Sequence, residues 1–186
     1  MNSIRFVYFG SFRVSADILA GLITGGFVPT VVVCSPDRPT GKKKVITPPP
    51  VKQLVAMYNE QLTTDKKIKI LQPESLEIEN LKLEIGEVDL AVVMGYPHII
   101  PQSIISIPRL GTIGVHPSLL PKYRGASPMQ TTLLEGEETT GVTLYLMDEK
   151  MDHGKIISND QFLIANDETN ASLEKKAAQA ATKLLI

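Results

Sequence analysis

The chain has a single cysteine, no excess of either charge, and no long apolar run, and each shortage removes a class of protein. Cys34, alone inside the apolar run Val28 to Cys34, cannot close an internal disulfide, so it reads as a small buried hydrophobe and fits a reducing, cytoplasmic setting. Nineteen Lys and Arg against twenty Asp and Glu leave a net charge of -1, so any contact with nucleic acid must come from a local patch. No apolar stretch approaches the roughly 20 residues that span a bilayer, and Met1 to Phe6 lacks the basic and apolar regions of an export signal. The turn at Gly10 lacks the further glycines of a dinucleotide fingerprint, and there is no phosphate loop and no zinc spacing. NAD, FAD and metal chemistry are therefore not expected.

What is present is an alternation of short apolar runs with helical patterns. Ile4 to Phe9 reads as a strand ended by Gly10; Val14, Ile18, Leu19, Leu22 and Ile23 recur at helical spacing; Val28 to Cys34 reads as a second buried strand. Strands follow over Ile68–Leu71, Asp89–Met94, Thr112–His116, Gly141–Met147 (alternating) and Ile156–Ile164. Helices are predicted over Val51–Tyr58, Leu76–Ile85, Pro101–Ser106, Met129–Leu134 and Ala171–Leu185. Continuous apolar strands joined by helices imply a mostly parallel, twisted α/β sheet with helices on both faces. With 186 residues, 43% of them hydrophobic, and no linker or repeat, one domain accounts for the chain. The stretch Ser35 to Pro50, with five prolines and Lys42-Lys43-Lys44, is expected to be a long surface loop.

Ligands of open α/β sheets settle beyond the carboxyl ends of the strands. By that rule the candidates are Gly10, the Ser35 to Pro50 loop, Gly95 to His98, His116 with Ser118, and the turn holding Asp148 and Asp152, and they should converge. From position alone, His116 suits a satisfied structural histidine as well as a proton carrier, and His98 decorates a loop. Asp152, considered by itself, reads as an ordinary Asx turn. A pairing with His116 would change that reading, since a carboxylate orients a facing imidazole.

The segment Ser118-Leu119-Leu120-Pro121-Lys122-Tyr123-Arg124-Gly125-Ala126-Ser127-Pro128, directly after a strand-borne histidine, resembles the signature loop of 10-formyltetrahydrofolate-dependent formyltransferases. Glu137 to Thr143, Met147-Asp148 and Met151-Asp152 with Gly154 extend the resemblance over essentially the whole chain. Pro36 to Gly41, the lysine triplet and Thr47 to Lys52 resemble the long basic loop of the methionyl-tRNA branch, which enters the acceptor stem. Alone, that run would also suit a solvated charged surface.

The resemblance implies a Rossmann-like formyltransferase fold, with residues 1–186 as the catalytic domain and the family's C-terminal β-barrel domain absent. It implies 10-formyltetrahydrofolate as co-substrate, no metal, and initiator methionyl-tRNA as the partner, held weakly without a second domain. His116 would stabilise the oxyanion, and Asp152 would orient His116 and help to take the amine proton. Ser118, Leu119, Leu120, Pro121, Tyr96, His98 and Ile99 would line the folate pocket; Arg38, Lys42, Lys43, Lys44 and Arg124 would face the tRNA. One departure stands out: where the family has an Asn two residues before the histidine, this chain has Gly114. A lost oxyanion donor implies a slow enzyme unless a water, a backbone N–H or a neighbour such as His98 replaces it. A sugar-nucleotide N-formyltransferase, or a folate- or tRNA-binding protein with little or no catalysis, are the competing readings.

Overall fold

The chain is described by a computed structural model, which covers residues 4–76, 81 and 84–186. Five parallel strands form the body of the sheet: β1 (Phe6–Phe9), β2 (Val31–Val33), β5 (Lys69–Leu71), β6 (Leu90–Val93) and β7 (Thr112–His116). Two antiparallel strands, β8 (Thr139–Leu146) and β9 (Lys155–Leu163), extend it, giving the order β5-β2-β1-β6-β7-β8-β9. The expected mostly parallel α/β sheet is therefore present. β2 starts later than the apolar run suggests because Pro29 has no N–H for the ladder; pairing opens with the Thr30 amide on the Phe6 carbonyl.

Helices cover both faces. On one, α1 (Arg13–Thr24), α2 (Pro50–Asn59) and α5 (Asn170–Leu185) pack their apolar sides on Tyr8, Val32, Val92, Val115, Val142 and Leu144. On the other, α3 (Gln102–Ile105) brings Ile104 and Ile105 against Val7, Phe9, Val31, Val33 and Ala91. A further helix, α4 (Pro128–Leu134), follows the loop after β7. The helix expected over Leu76–Ile85 falls mostly outside the described residues. Cys34 is fully buried, and burial pushes its thiol up to about 12, as befits an inert core residue.

Two expectations change. The Ser35 to Pro50 stretch is not a plain loop: it carries an antiparallel hairpin, β3 (Arg38–Thr40) with β4 (Val45–Thr47), turning at Gly41 to Lys44. Its side chains are mostly exposed, so no apolar alternation announced it. β8 does not alternate either, being buried continuously from Thr140 to Tyr145. It lies inside the sheet, with α5 over one face and the loop after β7 and the turn after β8 over the other.

The start of α5 is fastened by Thr169, whose side chain accepts from the Ser172 amide in a capping box. Glu168 beside it pairs with Lys176 and accepts from the Ser172 hydroxyl and the Ala165 amide. The Lys176 contact, then the Ser172 bond, hold this carboxyl down to about 2. A depressed folded value means that its contribution to stability is complete above the unfolded value of about 4.3 and is lost as the pH falls through about 2. In urea titrations, the stability gap between the parent protein and Glu168→Gln is expected to narrow between pH 4 and pH 2; a gap constant over that range would refute the assignment.

Candidate active site

Side chains two apart on a strand share a face, so Thr112, Gly114 and His116 of β7 project together, on the side where Thr112 donates to the Ile105 carbonyl. In the antiparallel register Gly114 faces Tyr145 of β8, and His116 faces Thr143. The turn 147–154 then brings Asp152 over the same surface. Asp152 lies 3.5 Å from His116 Nδ1, and the two side chains are only 13% and 6% exposed. The imidazole and the carboxylate thus meet, which neither residue's local sequence could show.

Asp152 is held from several sides. Its Oδ1 accepts from the Tyr145 hydroxyl at 2.9 Å, its Oδ2 from the Gly125 amide at 2.8 Å, and its carbonyl from Arg124 Nε at 2.8 Å. Its backbone stands at φ +49°, a left-handed conformation that Asp tolerates better than most residues. His116 Nε2 lies 2.8 Å from the Tyr123 carbonyl, which can only accept, so Nε2 carries a hydrogen and Nδ1 is left facing the carboxylate.

The loop after His116 is pinned rather than free. Thr143, fully buried, donates to the Ser118 carbonyl at 2.7 Å and accepts from the Leu120 amide at 3.1 Å. The Ser118 hydroxyl, also fully buried, donates to the Lys122 carbonyl. The Leu120–Pro121 peptide is cis. Farther out, Lys122 and the Tyr123 hydroxyl both reach Glu137; that hydrogen bond pushes Tyr123 up to about 12, and Lys122 with Tyr123 holds Glu137 below its usual range.

Two hollows open at the edge formed by the carboxyl ends of β1, β2, β5 and β6. One, of 380 Å³, is walled by Pro73, Glu74, Leu76, Tyr96, His98 and Ile99, a size within the roughly 300–1,000 Å³ of small-molecule sites. Tyr96 packs edge-on against Phe9 and tilts against His98, while its buried hydroxyl has no hydrogen-bond partner among the described residues. The other, of 570 Å³ and mostly apolar, lies between Ser11, Phe12, Pro48, Pro49, Arg38 and His98. The structure thus groups Tyr96, His98 and Ile99 around one hollow, whereas Ser118, Leu119, Leu120 and Pro121 wall neither of the two and instead shape the loop beside His116.

The basic hairpin is anchored at its root and open at its tip. Lys52 Nζ donates to both oxygens of Asp37 and to Gln72, and Gln72 donates in turn to Asp37 and to the Ser35 carbonyl. The Lys52 and Gln72 bonds keep the Asp37 carboxyl below its ordinary range. Arg38 pairs with Glu74 at 3.5 Å, while Lys42, Lys43 and Lys44 stand exposed in the turn. Arg124 bonds the Asp152 carbonyl, so it sits at the His116 site rather than on the hairpin. His153 points away from the pair to Asp148, at 2.9 Å.

Sequence reasoning missed Tyr145, Thr143 and the Asp37–Lys52–Gln72 cluster. Tyr145 and Thr143 are hidden among the apolar residues of a strand, and only the register with β7 reveals them. Among the described residues no group of three or more His, Cys, Asp and Glu side chains could hold a metal ion, and no helix is long and apolar enough to cross a membrane.

The chain is 38% identical over 183 residues to a methionyl-tRNA formyltransferase of Halalkalibacterium halodurans, covering 97% of this chain and 55% of that protein. A methionyl-tRNA formyltransferase of Thermotoga maritima is 37% identical, with coverages of 98% and 56%. The chain therefore spans about half the length of the curated relatives it matches. Among solved structures, a phosphoribosylglycinamide formyltransferase from Bacillus halodurans superposes with a TM-score of 0.72 at 20% identity, covering 97% of this chain and 90% of the other, a likeness of fold. The family model described as "Formyl transferase" matches residues 3–186, and by that match the chain belongs to the formyl transferase family.

Proposed function

We propose that this chain is the catalytic domain, residues 1–186, of an enzyme that transfers the formyl group of 10-formyltetrahydrofolate to the α-amine of methionyl-initiator-tRNA. The observation that carries the reading is the meeting of His116 and Asp152 beside a loop whose residues resemble the signature of such enzymes. In the transfer, the amine nitrogen bonds to the formyl carbon, the bond from that carbon to the folate nitrogen breaks, the amine gives up a proton, and the folate nitrogen gains one. Negative charge builds on the carbonyl oxygen on the way, and it is stabilised by a preorganised donor. The Nε2–H of His116, held on the Tyr123 carbonyl in this structure, is the donor that this reading assigns to the oxyanion. Asp152 faces the other nitrogen, orients the ring, and helps to accept the amine proton.

A pterin-sized ligand fits the hollow of 380 Å³, where Tyr96 offers a ring face and a buried hydroxyl that lacks a partner among the described residues. His98 and Ile99 wall the same space, and Ser118 to Pro121 form the loop that follows His116. On the tRNA side, Lys42, Lys43 and Lys44 are free to meet phosphates at the tip of a hairpin whose root is fixed, with Arg38 and Arg124 nearer the site. A fixed root lowers the entropy lost when the tip orders on RNA.

Two measurements test the reading. With one formyl donor, methionyl-tRNA is expected to be formylated and an amino-sugar nucleotide not; the reverse would move the chain to the sugar-modifying branch. Replacing Lys42, Lys43 and Lys44 together by Ala is expected to weaken tRNA binding about tenfold or more and to reduce the slope of log K against log salt by up to about 3. Unchanged binding and slope would remove the hairpin from the RNA interface.

A further inference from the structure

We infer that Tyr145 is the positioning residue of the His116–Asp152 pair, its phenol occupying the space that a side chain at position 114 would take. The inference rests on the formyl-transfer reading for its kinetic test, though its geometry stands apart from it. Gly114 and Tyr145 are direct partners across β7 and β8, and their side chains project to the same face. A Cβ built on Gly114 would lie 2.3 Å from Tyr145 Cζ, 2.5 Å from Cε1 and 2.6 Å from Oη, distances that real Cβ atoms essentially never show. The glycine is thus not an empty donor position. It is what lets a large phenol pass over the strand to reach Asp152.

What the phenol does there follows from its bonds. Its O–H donates to Asp152 Oδ1, the oxygen that also faces His116 Nδ1, while the Gly125 amide takes Oδ2. With one donor on each oxygen, both the plane and the rotation of the carboxylate are set, so the imidazole faces a carboxylate of fixed orientation. Burial, reinforced by the charge of Asp152, pushes the Tyr145 hydroxyl well above its ordinary range, so it remains a donor throughout the working pH range. Because its hydrogen is committed to Asp152, Tyr145 acts through the carboxylate.

Tyr145→Phe keeps the ring and its packing and deletes only the donor. It is expected to lower kcat for formyl transfer on the order of 10-fold while leaving KM for both substrates near the parent values. In Asp152→Asn the same substitution should add almost nothing, since a residue that acts through Asp152 has nothing left to position. Independent of turnover, the ¹⁵N resonance of His116 Nδ1 should shift in Tyr145→Phe. Equal kcat in Tyr145→Phe and the parent would overturn the inference, as would penalties that multiply in the double variant, the sign of a structural role separate from Asp152. An unchanged Nδ1 resonance would do so as well. If the parent chain formylated no amine, the functional reading would fail, and the ring resonance would still decide the part played by Tyr145.

Discussion

His116→Ala is expected to lower the rate of formyl transfer on the order of 10³-fold. The imidazole is the only side-chain N–H that β7 places beside Asp152, and loss of one preorganised oxyanion donor costs roughly 10²–10³ in rate. Asp152→Asn is expected to follow closely. The carboxylate accepts from Tyr145 and from Gly125, whereas an amide offers a single acceptor oxygen, so one of those donors loses its partner along with the charge that faces the ring. Single-turnover rates with saturating folate and tRNA check both variants. Activity of His116→Ala within about threefold of the parent would dismiss the pair as the site of chemistry.

Gly114→Asn is the second large effect, and its direction is the reverse of what the resemblance alone suggests. Read from the sequence, the substitution restores a missing donor and should accelerate the reaction. In the structure the new Cβ runs into the buried ring of Tyr145, which is 4% exposed and has little room to withdraw. Overpacking of this kind costs about 1–3 kcal/mol, and displacing the phenol also breaks its bond to Asp152. The single variant is therefore expected to be less stable, and at least tenfold slower than the parent, in line with the penalty of losing the Asp152 bond. Combining Gly114→Asn with Tyr145→Ala removes the obstruction and is expected to recover most of the lost stability. Parallel denaturation and rate measurements on the three proteins decide the matter: acceleration by Gly114→Asn alone would show that the ring yields at little cost.

The parts of the site that could be read along the chain are those whose meaning is local. His116 ends an apolar strand, and the Ser118 to Pro128 loop announces itself by its residues. Tyr145 is different. In the sequence it is one member of the run Val142-Thr143-Leu144-Tyr145-Leu146, and nothing there separates a phenol aimed at a carboxylate from one filling a core. The hairpin at Arg38 to Thr47 was illegible for another reason: its strands are short and exposed, so burial leaves no periodic trace, and pairing with a neighbour supplies the order. The anchor of that hairpin, Asp37 with Lys52 and Gln72, joins residues from three separate stretches of chain.

The order of apolar runs and helical patterns was enough to determine a mostly parallel α/β sheet, because burying both faces of a strand demands apolar residues at successive positions. Only the tertiary structure decided which polar groups meet. The contact between Asp152 and His116, and the reason for a glycine at 114, depend on β8 folding back antiparallel to β7 in one register and on the turn 147–154 crossing the sheet surface. Those are distances between residues some thirty positions apart, and they arise from packing, to which the local pattern of side chains carries no pointer.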